Sequence, residues 1–360
     1  MEADDCGAWA KQTLQLLDKN VTRWRSDLAK IVGPQPQTPP MRPSDFLHTE
    51  AKTSLCEHYI AAGALCRIST NHESVLQAAR ATFLPVEAPG VAMDFSIRFW
   101  VDDTDRSQPP WPKPYVRGLG HLVFAGFDAR SSFLVDLRTH RVIGRFSAAM
   151  AADHTYWRTI IFPILLSVLA GSIGLIELHS ACVAKDNRGL ILLGPSRSGK
   201  STLAMALTAA GFCFLTDDRT FCSDARGKLM AWGLRRPLKL RREAAFWFAG
   251  LCDRRPMVVQ DGESVFHLEP PPERVSNCEP KQLVFLERHD GCAFHLSVIK
   301  TREAKSRIET DLLPETPQGT RKQSGLLGAL LSLDCCILRY GGSPHVIAER
   351  LAESFLKRSD

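Results

Sequence analysis

The sequence has no C-x-x-C pair among its eleven cysteines, no internal repeat of solenoid length and no apolar core in its first residues. Cysteines that are scattered and odd in number argue against a disulfide framework, so reduced thiols in a cytoplasmic protein are the expectation. The nearest approach to zinc-ligand spacing is Cys56 with His58, and no second pair follows at a finger-like interval. The acidic opening MEADDCG argues against a secretory signal. One uncharged run, the eighteen residues from Thr159 to Ile176, lies at the lower edge of bilayer-spanning length. Pro163, Gly171 and Gly174 interrupt it and Glu177 follows at once, so it reads as a buried helix that ends near Gly171 and leads into a strand. No membrane partner is expected.

What remains is an ordinary soluble composition, 44% hydrophobic and 23% charged over 360 residues, long enough for two domains with their own cores. The formal net charge is +6. Seven basic residues between Arg235 and Arg255 face only Glu243 and Asp253, so most of the surplus is local. Such concentration argues for one anionic site and against a nucleic-acid-coating surface.

Along the chain, Cys6 to Ile31 carries apolar residues at three- and four-residue intervals and reads as an amphipathic helix, and the proline-rich Gly33 to Pro43 reads as an extended linker. Residues 1–43 form a leading segment. Residues 44–150 are expected to be a smaller β-rich domain, with strands at Phe95 to Val101, His121 to Phe127, Ser132 to Leu137 and Arg141 to Phe146. Residues 151–360 change character: LIELHSACVAK, the turn DNRG and LILLG read as a strand hairpin, followed by a glycine loop, the helix STLAMALTAAG and the strand FCFLTDD.

The loop GPSRSGKST fits G-x-x-x-x-G-K-[ST], with Gly194, Gly199, Lys200 and Ser201 at the fixed places. Glycines let backbone N–H groups curl around phosphate oxygens, the lysine supplies a point charge, and the serine hydroxyl can ligate Mg²⁺. Ser196, Ser198 and Thr202 complete the expected nucleotide contacts, and the implied cofactors are ATP and Mg²⁺. The strand–loop–helix–strand context strengthens the motif.

Asp217 and Asp218 end the next strand, where open α/β sheets place their ligands. One can hold Mg²⁺ and the other accept a proton from an attacking hydroxyl, and a like-charged pair raises one pKa toward neutrality. If Lys185 pairs with Leu190 across DNRG, His179 lies opposite Ser196 and can contact a terminal phosphoryl group; a core histidine satisfied by backbone is the alternative. LKLR, Leu238 to Arg241, places Lys239 and Arg241 on one face of a strand, either for phosphate or substrate or as a solvated edge.

With these residues in place, the region from about Leu178 to Arg242 resembles the catalytic domain of HPr kinase/phosphorylase and its relatives, including kinases of modified-peptide biosynthesis. His179 stands twenty-one residues before Lys200 and Asp218 eighteen after it, the spacing of that family. The resemblance implies an α/β P-loop kinase fold, a central β-sheet flanked by helices, preceded by a smaller β-rich α+β domain. It implies catalytic roles for Asp218 as general base, His179 at the phosphoryl group and Lys200 on the phosphates, with Ser201 and Asp217 at the metal. The bifunctional members carry a glutamate and a glycine-rich segment where this chain has LKLRREA, with Lys239 in the glutamate's place. That argues against phosphorylase activity and for Lys239 meeting substrate or nucleotide phosphate. The expected activity is transfer of the γ-phosphoryl group of Mg·ATP to a hydroxyl, serine first, of a protein or peptide. A small hydroxylated metabolite such as free serine, or a nucleotide-gated binding module, are the alternatives. Family relatives assemble as homo-oligomers, which extends to this chain as an expectation.

Overall fold

The computed structural model describes residues 53–88, 90–102, 108–225, 227–252, 257–260, 263–289, 291, 294–309 and 317–357. The leading helix and linker expected at residues 1–43 lie outside them, as do Asp253, Arg254 and Arg255 of the basic stretch. Residues Ala51–Asp360 form one compact unit.

Its first half is a mixed eight-stranded sheet made of β1 (Leu55–Ala61), β2 (Ala64–Thr70), β3 (Leu84–Val86), β4 (Phe95–Asp102), β5 (Tyr115–Leu119), β6 (Leu122–Gly126), β7 (Ser132–Asp136) and β8 (Arg141–Ser147). The spatial order is β3-β1-β2-β4-β8-β7-β6-β5. The four strands read from the sequence are β4, β6, β7 and β8. In β4 the alternation FSIRFWVD buries Phe95, Ile97, Phe99 and Val101 on one face. Strands β1–β3 and helix α1 (Glu73–Thr82) add to those four, and α1 carries the crossover between the parallel strands β2 and β4.

The uncharged run is an interior helix, as expected. A π-helical turn, Trp157–Ile161, leads into α2 (Phe162–Ala170), with Pro163 in the first turn, where its missing N–H costs no bond. Gly171 ends it and β9 (Ile176–Lys185) begins. Trp157 anchors this element: its indole lies 4.7 Å from Phe146 and 5.1 Å from Phe162, and its Nε1–H donates to the Met150 carbonyl at 2.8 Å. Each buried ring of this kind removes about 150–250 Å² from water. Among the described residues, no helix is long and apolar enough to cross a membrane.

The second sheet is built from β9, β10 (Arg188–Leu193), β11 (Cys213–Thr216), β12 (Arg219–Ala225), β13 (Lys228–Gly233), β17 (Asn277–Arg288), β18 (Phe294–Val298) and β19 (Asp334–Tyr340). The path runs β10-β9-β12-β13-β17-β19-β18, and β10 also pairs with β17 in parallel, so part of the sheet closes on itself. β10 is buried from Gly189 to Leu193, hence its unbroken apolar reading. Helices α3 (Lys200–Ala209) and α6 (Pro344–Lys357) share one core through Leu203 and Leu207 of the first and Ile347, Leu351 and Phe355 of the second; α4 (Thr301–Glu309) and α5 (Pro317–Leu331) complete the chain order. A separate three-stranded sheet, ordered β14 (Leu238–Arg241), β16 (Glu263–Leu268), β15 (Met257–Gln260), follows the acidic pair in sequence. The architecture is mixed α/β.

Candidate nucleotide and phosphoryl-transfer site

The glycine loop joins β10 to α3 and is shaped by backbone positions that only glycine takes without strain. Gly194 has φ 148° and Gly199 φ 92°. A Cβ on Gly194 would meet Ser198 Oγ at 2.8 Å and the Leu286 carbonyl at 3.0 Å, and one on Gly199 would strike the Tyr340 hydroxyl. That hydroxyl donates to the Ser198 carbonyl at 2.6 Å, so the end of β19 braces the loop from behind. Lys200 opens α3, is 6% exposed, and its Nζ donates to the carbonyls of Gly194 at 2.7 Å and Pro195 at 3.1 Å. Ser198 Oγ is buried without a hydrogen-bond partner. A helix N-terminus, an inward lysine and an orphaned hydroxyl make a cradle that fits phosphate.

The register that brings His179 near this loop differs from the sequence reading. Lys185 pairs with Arg188 rather than Leu190, because Asp186 and Asn187 alone make the turn, with φ 50° and 63°. The four-residue turn assumed from DNRG was too long by two, and Asn in a left-handed position is what permits the tighter one. The β9–β10 pairing stops at Ser180 with Leu193, so His179 does not face Ser196 across the hairpin; its partner is Arg219 on β12. A shift of two residues keeps side chains on the same face, and His179 still opens onto the loop's cavity.

Both β11 and β12 run along β9, and the chain bends between them at Asp217 and Asp218. The bend delivers the two carboxylates to different surroundings. Asp217 is 3% exposed; its Oδ1 accepts from Arg236 Nη2 at 3.3 Å and its Oδ2 from the Lys239 backbone N–H at 3.1 Å. Burial pushes its carboxyl above the ordinary value, and neighbouring Asp218 adds to this against the pull of Arg236. Asp218 is more open: its Oδ1 is 3.5 Å from His179 Nε2, and its Oδ2 accepts from Arg236 at 2.8 Å and has Arg219 Nε at 3.8 Å. Burial raises this carboxyl too, but Arg236, then His179, then Arg219 outweigh it and hold it below the usual range. The two acids therefore shift in opposite directions, because burial prevails at Asp217 and the surrounding cations prevail at Asp218; the raised member is Asp217 and not the residue assigned as base.

Three cationic residues went unassigned in the sequence reading and organise this corner. Arg236 bridges both aspartates, and its only sequence signal was its place in the basic stretch. Arg219, the residue after the acids, ties Asp218 to Glu177 and donates to Ser167 Oγ at 2.6 Å. Arg158 on the turn before α2 forks onto Glu269 at 3.2 Å for each nitrogen and donates Nε to the Arg235 carbonyl at 3.2 Å, which fixes the chain next to Arg236.

The strand LKLR forms as read. Leu238 and Leu240 are buried, and Lys239 and Arg241 share the opposite face, although β14 is also the edge of its sheet. Arg241 Nη2 donates to Ser196 Oγ at 3.3 Å. One cavity of about 1000 Å³ is lined by His179, Ser196, Gly199, Lys200, Ser201, Thr202, Asp217, Asp218, Lys239 and Arg241. Of the expected residues, Gly194 and Ser198 stand behind that wall and shape it.

A divalent cation fits less simply. Ser201 Oγ donates to the Asp217 carbonyl at 3.4 Å, a weak bond that leaves the hydroxyl on the cavity wall. Asp217, expected to support the metal, has each carboxylate oxygen engaged by one protein donor. Among the described residues no cluster of three or more His, Cys, Asp or Glu side chains can hold a metal. The donors suit Mg²⁺ as an ion that enters with the phosphates, since that ion takes one or two protein oxygens, phosphate oxygens and water.

No family model matches the sequence, and no curated protein matches it. Among solved structures, the Hpr(Ser) kinase/phosphatase from Coxiella burnetii is similar over 51% of this chain and 99% of its own, at 14% identity and a TM-score of 0.28. A likeness of that size carries nothing about the site, whose reading rests on the side chains above.

Proposed function

We propose that the chain is a Mg·ATP-dependent kinase that transfers a γ-phosphoryl group to a hydroxyl, serine first, of a protein or peptide. The observation that carries the proposal is the Asp218 carboxylate on the wall of the same cavity as Lys200 and Ser201, with His179 Nε2 at 3.5 Å. In this reading Lys200 leaves the Gly194 and Pro195 carbonyls for the outer phosphates, and backbone N–H groups of the cavity-lining residues from Ser196 to Thr202 hold the rest of the triphosphate. Ser201 would hold Mg²⁺ together with phosphate oxygens, and the ion supplies charge neutralisation on the leaving diphosphate.

Asp218 accepts the proton of the acceptor hydroxyl as the oxygen bonds to the γ-phosphorus and the bond to the β-phosphate oxygen breaks, releasing ADP. His179 positions Asp218 and faces the phosphoryl oxygens, and Arg241 adds charge beside Ser196. Asp217 has a structural part: it holds Arg236 and the start of β14 against the acidic bend. A second reading takes Asp217 as the base, since it lines the same cavity and burial holds its carboxyl above the ordinary value. Incubation of the purified protein with γ-labelled ATP and candidate acceptors tests the proposal. Label in an acceptor hydroxyl supports it; release of phosphate with no labelled acceptor among serine peptides, proteins and free serine counts against it.

A further inference from the structure

The cavity holds more positive charge than a magnesium-bound triphosphate calls for. Eight lysine and arginine residues line it against three carboxylates. Arg236 and Arg219 are committed to Asp217, Asp218 and Glu177, and Lys200 belongs to the glycine loop. Much of the remaining surplus gathers on one short element: Lys239 and Arg241 on β14, and Arg242 just after it.

That element is pinned at both ends to the reaction centre. The Lys239 N–H bonds to Asp217 Oδ2, and Arg241 bonds to Ser196 in the loop, so the cationic face of β14 spans the gap between the acids and the phosphate cradle. Opposite Lys239 on β16 stands His267, a cavity residue whose buried Nδ1 has no partner. Burial, then Lys239 and Arg236, push its imidazole pKa down, so it is a neutral hydrogen-bonding group among cations. The helical stretch after β14 turns aromatic side chains outward: Trp247 lines the cavity itself, and Phe246, 78% exposed, packs edge-on against it at 5.4 Å between ring centres. Exposed aromatics next to a charged cleft mark a binding surface.

We infer that the acceptor is an acidic peptide segment, laid along β14 with its carboxylates on Lys239 and Arg242 and an apolar side chain against Phe246 and Trp247. This rests on the kinase reading above and deepens it. The charge of the cleft selects an anionic partner, and the apolar rim adjoining it selects a peptide over a free hydroxy acid, which has no side chain to place there.

Short peptides with one central serine, flanked on both sides by glutamate, glutamine or lysine and carrying one leucine, serve as probes. Labelling with γ-labelled ATP is expected to favour the glutamate peptide by about tenfold in kcat/KM, the size of one charge-assisted hydrogen bond. Lys239→Glu is expected to raise KM for the glutamate peptide by a similar factor and to improve the lysine peptide, and Phe246→Ser to raise KM for the leucine-bearing glutamate peptide but not for its counterpart with alanine in place of leucine. Anisotropy of the same fluorescent peptides, with a non-hydrolysable ATP analogue present, separates the two claims. Binding that prefers glutamate without transfer supports the acidic docking site and defeats the kinase reading. Transfer with no charge preference, a Lys239→Glu defect confined to ATP affinity, or free serine labelled ahead of every peptide overturns the inference and leaves transfer standing.

Discussion

His179 Nε2 lies 3.5 Å from Asp218 Oδ1, a contact made possible because β9 pairs His179 with Arg219, the residue next to that aspartate. The side chain set beside the acid is thus chosen by strand register. His179→Ala is expected to lower kcat by about tenfold with little change in KM for ATP, since the imidazole positions a group that keeps two arginines. His179→Asn, which retains a donor, is expected to recover part of that loss. Steady-state kinetics on the three proteins provide the check; unchanged kcat in the alanine variant would remove His179 from the site.

Arg236 holds two carboxylates together in a mostly buried setting, with its side chain only 11% exposed. Removing one partner of such an arrangement leaves like charges without compensation. Arg236→Ala is expected to cost about 3 kcal/mol in denaturant unfolding, near the lower end for a broken buried pair. Arg236→Lys should recover only part, because a single ammonium cannot keep the guanidinium's planar geometry toward two acids. A cost under about 0.5 kcal/mol for the alanine variant, the range of an ordinary surface change, would contradict this assignment.

The brace behind the glycine loop is testable by a pair of substitutions. Gly199→Ala puts a methyl group into the Tyr340 hydroxyl at a backbone φ of 92°, and is expected to weaken ATP binding by more than about tenfold. Tyr340→Phe alone should cost about 1 kcal/mol of stability for its bond to the Ser198 carbonyl. The double variant should recover only part of the ATP affinity, because the hydroxyl clash is gone but the left-handed φ remains. Full recovery would show that backbone strain at Gly199 contributes nothing.

The pH profile distinguishes the two acids. Asp218 is held below its ordinary value of 3.8, so it is ionised throughout the neutral and mildly acidic range and gives kcat/KM no acid limb there. Asp217 is held above 3.8. A limb with its midpoint above that value, absent in Asp217→Asn, would transfer the role of base to Asp217.

Much of the central block was legible in the sequence because it depends on local pattern. The glycine loop, the buried strand before it, the alternation of LKLR and the helix interrupted at Gly171 all follow from residue spacing within a dozen positions. What was missed depends on chain segments far apart. Tyr340 reaches Ser198 across 142 positions, and Arg236 lies in the segment between β13 and β14 that the Lys239 N–H and Arg158 bonds hold beside the acids. The hairpin error came from a turn whose length is set by the left-handed φ of Asp186 and Asn187, a choice the letters DNRG leave open. β1 was passed over because LCEHYIA sets Glu57 and His58 within an otherwise apolar run, breaking the alternation.

The most direct measurement compares wild-type protein with Asp218→Asn for two quantities on the same preparation: affinity for an ATP analogue and transfer of γ-label to a serine peptide. The account predicts that affinity stays within about twofold while transfer falls by at least about a hundredfold, the least expected from losing a general base. Transfer by the asparagine variant at close to the wild-type rate, with ATP bound equally well, would contradict it.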